Sequence, residues 1–538
     1  VKIQSFILAA CVFAVGCGPV GSEVGASTSS TAAALPDNIL AIMKKPRYSK
    51  ATWSLLVSDV ATGQTFFALN PDKMALTGST RKLFSVGLAL NTLGANRRQS
   101  TQVFRQGAVT GGVLNGNLVL VGGGDLSLGG RRLSPDTIQF TNFDHNDANG
   151  LGTAILTPQD PLTGLDQLAA SIKAAGITSI TGEIAVDDRL FEAYRVPNGN
   201  LLITPMMLNE NQIDVSLTPT ALGAPATLEV RPITGFFSVT ANVTTAAAGA
   251  PANVDFSGNR LTSGVGGVGT VQGTIPLDYR APLSKIGSLV GTFRVEDPNS
   301  FARTAFIEAL KRQGIAVAAT AVAANPVGIL PGSFSYSPDT EVAKFDSLPQ
   351  AQHAKLVLKV SLNLGANLAL SLFGLEKGQR TRDGALAVER LALVEDYGLN
   401  GNQFLFPTNG SGTPDSQAAP RAFVQFLTRM SKSPVAGEFQ AALPVLGVDG
   451  SLATSGTSLP GKGHVFAKPG TTITPGPDGQ TLELKAQCLA GYIESKSGRK
   501  LAYALMVNDA GVVTDIESDV GQVFEDEGTI SSLIYESL

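Results

Sequence analysis

Cysteine, histidine and tryptophan are nearly missing from this chain, at 3, 3 and 1 in 538 residues. Cys11 and Cys17 belong to an apolar N-terminal run, so Cys488 stands alone in the remainder. No disulfide and no cysteine metal cluster can form there, and Cys488, in the strand-like "AQCLAGYIES", reads as a small buried hydrophobe. His145, His353 and His464 are scattered without ligand spacing, which argues against a zinc site. Their number permits a serine triad, but no G-x-S-x-G elbow accompanies them. Charge is sparse as well: 16% of residues are charged, the net charge is −4 and no long basic run occurs. That sets nucleic acid aside as a partner. No G-x-x-x-x-G-K-[ST] phosphate loop is present. "LVLVGGGDLS" runs a strand into glycines, but Ser127 stands where a dinucleotide fingerprint needs its third glycine and no helix pattern follows. It reads as a tight turn, and "DHND" at 144–147 as a solvated loop. No internal repeat of fixed period is visible.

What is present is 43% hydrophobic residues and 59 glycines, over a length that implies two or three globular domains rich in turns and strands. At the N-terminus Lys2 precedes the apolar run 3–16, too short to span a bilayer but suited to the h-region of an export signal. Residues 1–17 resemble a bacterial lipoprotein signal, with Cys17 as the acylated first residue and 18–34 as a flexible tether. Cys11 fits the local pattern with a very short h-region, and an ordinary secretory signal with incidental cysteines is the other reading. Either way the protein is expected to be exported to the periplasm or cell envelope; under the lipoprotein reading a lipid on Cys17 is expected to hold it at a membrane.

A short helix is expected in "LPDNILAIMKK". "WSLLVSDV", a turn at "ATGQ" and "TFFALN" predict a hairpin that leads into "TGSTRK". Near the other end "HVFAK", "AQCLAGYIES" and "KLAYALMVND" predict strands, and an amphipathic helix in "TDIESDVGQVFEDEGTISSLIYESL" closes the chain. Strands from both ends predict one sheet, which makes the middle an insertion. Its texture is short strands and glycine turns, with one helix in "GLDQLAASIKAAG"; α/β character returns at "NSFARTAFIEALKRQGI". The expected division is 35–94 and 296–538 for the sheet domain, and 95–295 for a mostly β insertion of one or two subdomains.

In "LTGSTRKLFS" Lys82 follows Ser79 by three residues, at the front of an apolar helical pattern in which 79, 82, 83, 86, 90 and 93 share a face. This spacing sets hydroxyl and amine side by side. Burial on an apolar face and a nearby cation push such a lysine toward its neutral, basic form. The spacing alone is cheap, since Ser497 and Lys500 repeat it in a polar turn. "KVSLNLGANLALSLFG" sets Ser361 and Asn363 at the start of an amphipathic helix, where alone they read as a cap. "GHVFAKPGTT" sets Lys468 and Gly470 on a strand, where alone they read as an edge charge beside a turn. S-x-x-K, S-x-N and K-x-G, in that order and in those contexts, form the three-part signature of penicillin-recognising serine enzymes.

From about residue 50 to the end the chain resembles the D-Ala-D-Ala carboxypeptidase/endopeptidases, the low-molecular-mass class C penicillin-binding proteins. "LALNPDKMALTGSTRK", "LVLVGGGDLSL", "GEIAVDDRLF", "MMLNENQIDVSL", "TFRVEDPNSFA", "NGSG" at 409–412 and "LPVLGVDGSL" at 443–452 are similar to segments of that family. A long insertion between the first and second motifs is typical of it. The resemblance implies an α+β fold (an α/β sandwich): a transpeptidase-like domain with a five-stranded antiparallel sheet, flanking helices and a helical subdomain, plus a large, mostly β insertion. It implies hydrolysis of peptidoglycan stem peptides through an acyl-enzyme, without metal or cofactor, and covalent inhibition by β-lactams. By position, Ser79 corresponds to the nucleophile, Lys82 to its general base and Ser361 to a proton relay. Asn363 corresponds to a group that hydrogen-bonds the bound peptide, Lys468 to the positive charge for the substrate's terminal carboxylate, Gly470 to a further substrate-binding position, and the N–H groups of Ser79 and Thr471 to the oxyanion hole. Pro469 departs from the family's usual threonine, leaving Thr471 or Thr472 to supply the missing hydroxyl, and Asn409 stands where the family usually has aspartate. Two alternatives stay open: a member that grips cell-wall peptides or β-lactams with poor turnover, and a related acyl-enzyme hydrolase such as a β-lactamase, esterase or amidase, which the long insertion disfavours.

Overall fold

The computed structural model describes residues 33–144, 151–257 and 261–538. The expected signal with Cys11 and Cys17, and nearly all of the expected tether, lie outside the described residues. Among the described residues no helix is long and apolar enough to cross a membrane.

Helix α1 (Asp37–Met43) is followed by the hairpin of β1 (Thr52–Asp59) and β2 (Thr65–Leu69). β1 is buried at nearly every position, as a strand covered on both faces must be. A 3-10 turn, Gly78–Arg81, then opens into α2 (Lys82–Leu93). α2 is buried all round from Lys82 to Leu90. Its expected single apolar face is therefore replaced by burial on every side, because it is the central helix of its half of the molecule.

The insertion begins here. Its main sheet centres on the antiparallel strands Ser100–Thr110 and Val113–Val121. Ser179–Ile180 and Ile184–Asp187 pair parallel to Val113–Val121, and Glu341–Asp346 antiparallel to Ser100–Thr110. Helices α3 (Thr163–Ala174) and α4 (Pro298–Arg312) and two three-stranded sheets share the same apolar core. α4 starts where the Asp297 carboxylate accepts from the Ser300 N–H, with Pro298 at its first position. Its buried Arg303 donates to the Ile184 carbonyl at 2.7 Å and to Glu183 at 2.9 Å. Strand pairing thus carries the insertion's sheet to Asp346, past the return expected at 296. α4 has a helical texture, but its apolar residues pack on the insertion's strands.

The chain returns through α5 (Gln350–Val360), α6 (Asn363–Glu376), α7 (Arg382–Glu395), α8 (Pro420–Met430) and α9 (Ala436–Ala442). It ends with β3 (Val465–Pro475), β4 (Leu482–Glu494), β5 (Lys500–Asn508) and α10 (Gly521–Ser537). The sheet runs β2–β1–β5–β4–β3 and is antiparallel throughout, with Val512–Val513 as a short extension on β4. Both ends of the chain meet where β1 pairs β5, from Thr52 opposite Asn508 to Asp59 opposite Leu501. Because successive side chains alternate, Leu55 and Val57 join α1 and α10 in one core through Ile39, Val523 and Ile530, while Leu56 joins α2 and α8 in another through Phe84, Leu88 and Phe423. This is the expected α+β sandwich with its β-rich insertion. β3 lies at the sheet's edge, beside the 3-10 turn.

Candidate active site

The S-x-x-K segment is divided between two helical geometries. Ser79 stands in the 3-10 turn and Lys82 opens α2. Three residues per turn eclipse i and i+3, and Lys82 Nζ lies 2.7 Å from Ser79 Oγ. The same nitrogen is 3.3 Å from Ser361 Oγ, 2.5 Å from Asn363 Oδ1 and 3.2 Å from the Ser411 carbonyl oxygen. Lys82 is fully buried, whereas Ser79 keeps partial exposure. None of these four oxygens belongs to a carboxylate.

Ser361 arrives from a break between helices. α5 ends at Val360, Ser361 adopts a left-handed φ of 63°, and α6 begins at Asn363. The two residues expected together at a helix start are therefore split: Ser361 terminates one helix and Asn363 opens the next. A serine in this region carries backbone strain of about 1 kcal/mol or more, which the packing of α5 and α6 must offset. The result is a hydroxyl turned toward Lys82.

β3 forms the third wall. Lys468 is fully buried and donates to the Pro469 carbonyl at 2.7 Å. Burial, and after it the charge of Lys82, push its ammonium well below the usual lysine range. Pro469 sits opposite Leu489 on the edge strand, where a missing N–H is tolerated. Gly470 is required by contact, since a Cβ there would lie 2.3 Å from the Thr77 carbonyl oxygen and 2.8 Å from Ser79 N. Gly78, at φ 48°, would likewise place a Cβ 2.6 Å from Thr471 N. This glycine-on-glycine approach sets the backbone N–H groups of Ser79 and Thr471 on either side of one close contact. A cleft of about 310 Å³ opens there, lined by Ser79, Ser361, Lys468, Pro469 and Thr471, with Asn142 and Phe143 contributed by the insertion. The expected site residues that lie among the described residues, Ser79, Lys82, Ser361, Asn363, Lys468, Gly470 and Thr471, are thus brought together.

The profile of the D-Ala-D-Ala carboxypeptidase 3 (S13) family matches residues 35–526. The chain belongs to that family. It is a hydrolase of the serine D,D-carboxypeptidase/endopeptidase type. The D-alanyl-D-alanine carboxypeptidase of Actinomadura sp. (strain R39) is 25% identical to it over 502 residues, covering 88% of this chain and 81% of that one. Among solved structures, penicillin binding protein 4 from Haemophilus influenzae shares the fold with a TM-score of 0.66 at 18% identity, over 93% of this chain and 99% of that one. The same protein complexed with a β-lactam gives a TM-score of 0.65 at 19% identity, over the same 93% and 99%.

Several groups that shape the site of this D,D-peptidase carry no local signal in the sequence. Arg81, between Ser79 and Lys82, is buried and forks onto Glu389 of α7 at 2.9 and 2.5 Å, with its guanidinium 4.0 Å from the centre of the Phe406 ring. Burial raises the Glu389 carboxyl and Arg81 pulls it back. The turn is therefore anchored to α7 by Arg81 while Lys82 anchors it to α6. Asn409 organises the "NGSG" loop: its Oδ1 accepts from the N–H groups of Ser411 and Gly412 at 2.8 and 2.7 Å, as a carboxylate would. Its Nδ2 donates to the Thr413 carbonyl at 3.1 Å, as a carboxylate cannot. This loop delivers the Ser411 carbonyl to Lys82, so the Asn409 departure leaves the loop able to form. Of the two hydroxyls available to replace that of the third motif, Thr472 is buried and shares a 3.1 Å bond with Thr413. Thr471 is the one on the cleft.

The solvated-loop reading of "DHND" is corrected at Asp144, which is buried and paired with Arg131 at 2.6 Å; 145–147 lie outside the described residues. Arg131, itself buried, also holds Glu210 at 2.6 Å, and the need to neutralise it draws Asp144 inward. Next to it, Asn142 Oδ1 accepts from the Gly450 N–H at 2.9 Å, tying the insertion to the "GVDGSL" turn. Asp449 of that turn holds the buried Lys359 of α5 at 2.6 Å. Cys488 is buried, with its thiol donating to the Leu76 carbonyl at 3.3 Å.

Proposed function

We propose that Ser79 is the nucleophile with which this protein opens the D-Ala–D-Ala bond of peptidoglycan stem peptides. The observation that carries this reading is the buried Lys82 amine 2.7 Å from Ser79 Oγ, with Ser361 and Asn363 also within its reach. Neutral Lys82 takes the Ser79 proton as Oγ attacks the carbonyl carbon. The tetrahedral oxyanion faces the N–H groups of Ser79 and Thr471. Ser361 relays the proton from Lys82 to the leaving amine, the C–N bond breaks, and an ester remains on Ser79. Water attacks that ester, giving its proton back along the same route, and Ser79 is regenerated. Lys468 meets the substrate's terminal carboxylate. Two buried amines this close resist being charged together, so a carboxylate that favours the charge on Lys468 favours neutrality at Lys82. Asn363 holds the bound peptide.

Incubation with labelled penicillin, followed by peptide mapping, tests the reading. The adduct is expected on Ser79, and a protein that takes up no covalent label sinks it. Release of D-alanine from a pentapeptide, set against cleavage of a cross-linked dimer, then identifies the bond preferred. Pro469 favours a second reading, in which the lost hydroxyl makes the protein a slow-turnover binder of cell-wall peptides and β-lactams. A stoichiometric burst of acylation without continuing D-alanine release identifies that case.

The place of work is the cell envelope. The finer assignment is a lipid anchor on Cys17 with 18–34 as its tether, supported by the lipoprotein-like signal. Metabolic labelling with palmitate, lost in Cys17→Ala, is its test. The domain assignment follows the strand pairing: a sheet domain formed from both ends of the chain, interrupted from about residue 95 to just past Asp346 by the β-rich insertion.

A further inference from the structure

Behind the edge strand lies an acid that the reaction above leaves idle. Glu527 of α10 is 1% exposed, and neither carboxyl oxygen reaches a hydrogen-bond partner among the described residues. Beside it is Gln487 of β4, fully buried, whose Nε2 is also without a partner within normal hydrogen-bond distance. Gln487 Oε1 accepts a 2.7 Å hydrogen bond from the Thr471 hydroxyl. Thr471 and Gln487 are direct cross-strand partners, and Thr471 lines the cleft with Ser79, Pro469 and Phe524. A line of polar groups thus runs from the cleft wall, through one amide, to a buried carboxyl.

An amide in that position transmits polarity, because its oxygen only accepts and its nitrogen only donates. With Oε1 toward Thr471, the hydroxyl spends its proton inward and shows the cleft only lone pairs, which oppose an incoming carboxylate. With the amide turned over, Nε2 donates to the Thr471 oxygen and frees the hydroxyl proton for the cleft. The acid selects between these states. Ionised Glu527 can only accept and holds Nε2 to itself; neutral Glu527 can donate its O–H to Oε1.

We propose that Glu527 and Gln487 are positioning residues that set the polarity of the Thr471 hydroxyl, so that the cleft receives a substrate's terminal carboxylate when Glu527 is protonated. The proposal rests on the reading of Lys468 and Thr471 as the seat of that carboxylate. It gives Thr471 the work of the hydroxyl that Pro469 lacks. Burial, opposed by Gln487 and reinforced by Asp526, pushes Glu527 well above the usual carboxylate range. The other groups facing it are Tyr48, Cys488 of β4 and Tyr503 of β5, and none of them is a cation. The nearby Lys45 ammonium is held by Asp526 at 2.5 Å.

The test compares acylation of the full chain by benzylpenicillin, which carries a carboxylate, and by its methyl ester, which does not. The ratio of the two rates, followed from acid to alkaline pH, cancels the titration of Lys82. In the wild type it is expected to fall by about tenfold as Glu527 ionises, the size of one charge-assisted hydrogen bond. Glu527→Gln can donate at every pH, so its ratio stays high until Lys468 loses its own proton. Thr471→Val, which keeps the shape and removes the hydroxyl, gives a low ratio without the Glu527 limb. If the ratio in Glu527→Gln follows the wild type at every pH, the proposal is overturned, while labelling of Ser79 in both proteins leaves the nucleophile assignment standing. If penicillin labels no residue of the wild type, both fall together.

Discussion

Lys82 exchanges water for four oxygens, and a residue so placed is defined by whether it can lose its proton. Lys82→Arg keeps the charge and forfeits that ability, since a guanidinium stays protonated. Its acylation rate with labelled penicillin is expected to fall at least about a hundredfold, the scale of a general base; a rate within a factor of a few of wild type would remove Lys82 from that role. Glu527 and Lys468 leave a mark on stability as well. Glu527 has a raised folded-state pKa, so it supports the fold fully below the ordinary carboxylate range and less as pH climbs toward the raised value. Lys468 is depressed, so the unfolded chain binds its proton more readily and the cost of burying the amine eases as pH rises toward the usual lysine range. Calorimetry across pH is expected to show Glu527→Gln gaining on the wild type as pH rises and Lys468→Met gaining on it as pH falls. The motif residues were legible because the acyl transfer proposed for them demands a nucleophile, an amine and a carboxylate seat at characteristic spacings. Glu389, Gln487 and Glu527 were not, because a buried polar group is matched by a partner that folding brings near; Glu389 lies 308 positions from Arg81.

The decisive element is the single 3-10 turn Gly78–Arg81, held from three sides. β3 presses Gly470 against it, α6 takes Lys82 through Asn363, and α7 takes Arg81 through Glu389. Removing one member of a buried ion pair strands the other, so Arg81→Met or Glu389→Gln is expected to cost about 3–5 kcal/mol in denaturant unfolding. The double substitution Arg81→Met with Glu389→Leu leaves no charge behind and is expected to recover most of that loss. Equal destabilisation of the single and double variants would show instead that the pair is a net source of stability. Element types were largely visible in advance; their junctions were not. Spacing predicted a helix beginning near Ser79 and another at Ser361, whereas the chain uses a tighter turn at the first and a left-handed residue at the second. At the first, the close approach of Gly470 and Thr471 from β3 accompanies the tighter turn. α2 likewise reads as one-faced from its own residues and is buried on every side by helices far along the chain.

At the scale of the molecule, two bodies of packing meet at one cleft. The insertion reaches it through Asn142 and Phe143 and is tied to the sheet domain by the Asn142–Gly450 bond. Its existence could be read from the change in texture after residue 95; α4 reads as a helix of the sheet domain until its partners, the insertion's strands, are known. The sheet itself has an evident centre: β5 lies between β1 and β4 and is buried along almost its whole length. Native-state hydrogen exchange is expected to find the slowest amides in β5. Slower exchange in the insertion's strands would show that the insertion, not the two-ended sheet, is the last part to open.

The pairing of β1 with β5 also makes the site a product of closure. Gly470 stands 388 positions after Lys82 (470 − 82). Until β3, β4 and β5 dock on the first hairpin, Ser79 stands apart from the Thr471 N–H that the proposed mechanism sets beside it. The proposed chemistry is therefore a readout of completed folding: acylation by penicillin reports that the sheet has closed across the insertion.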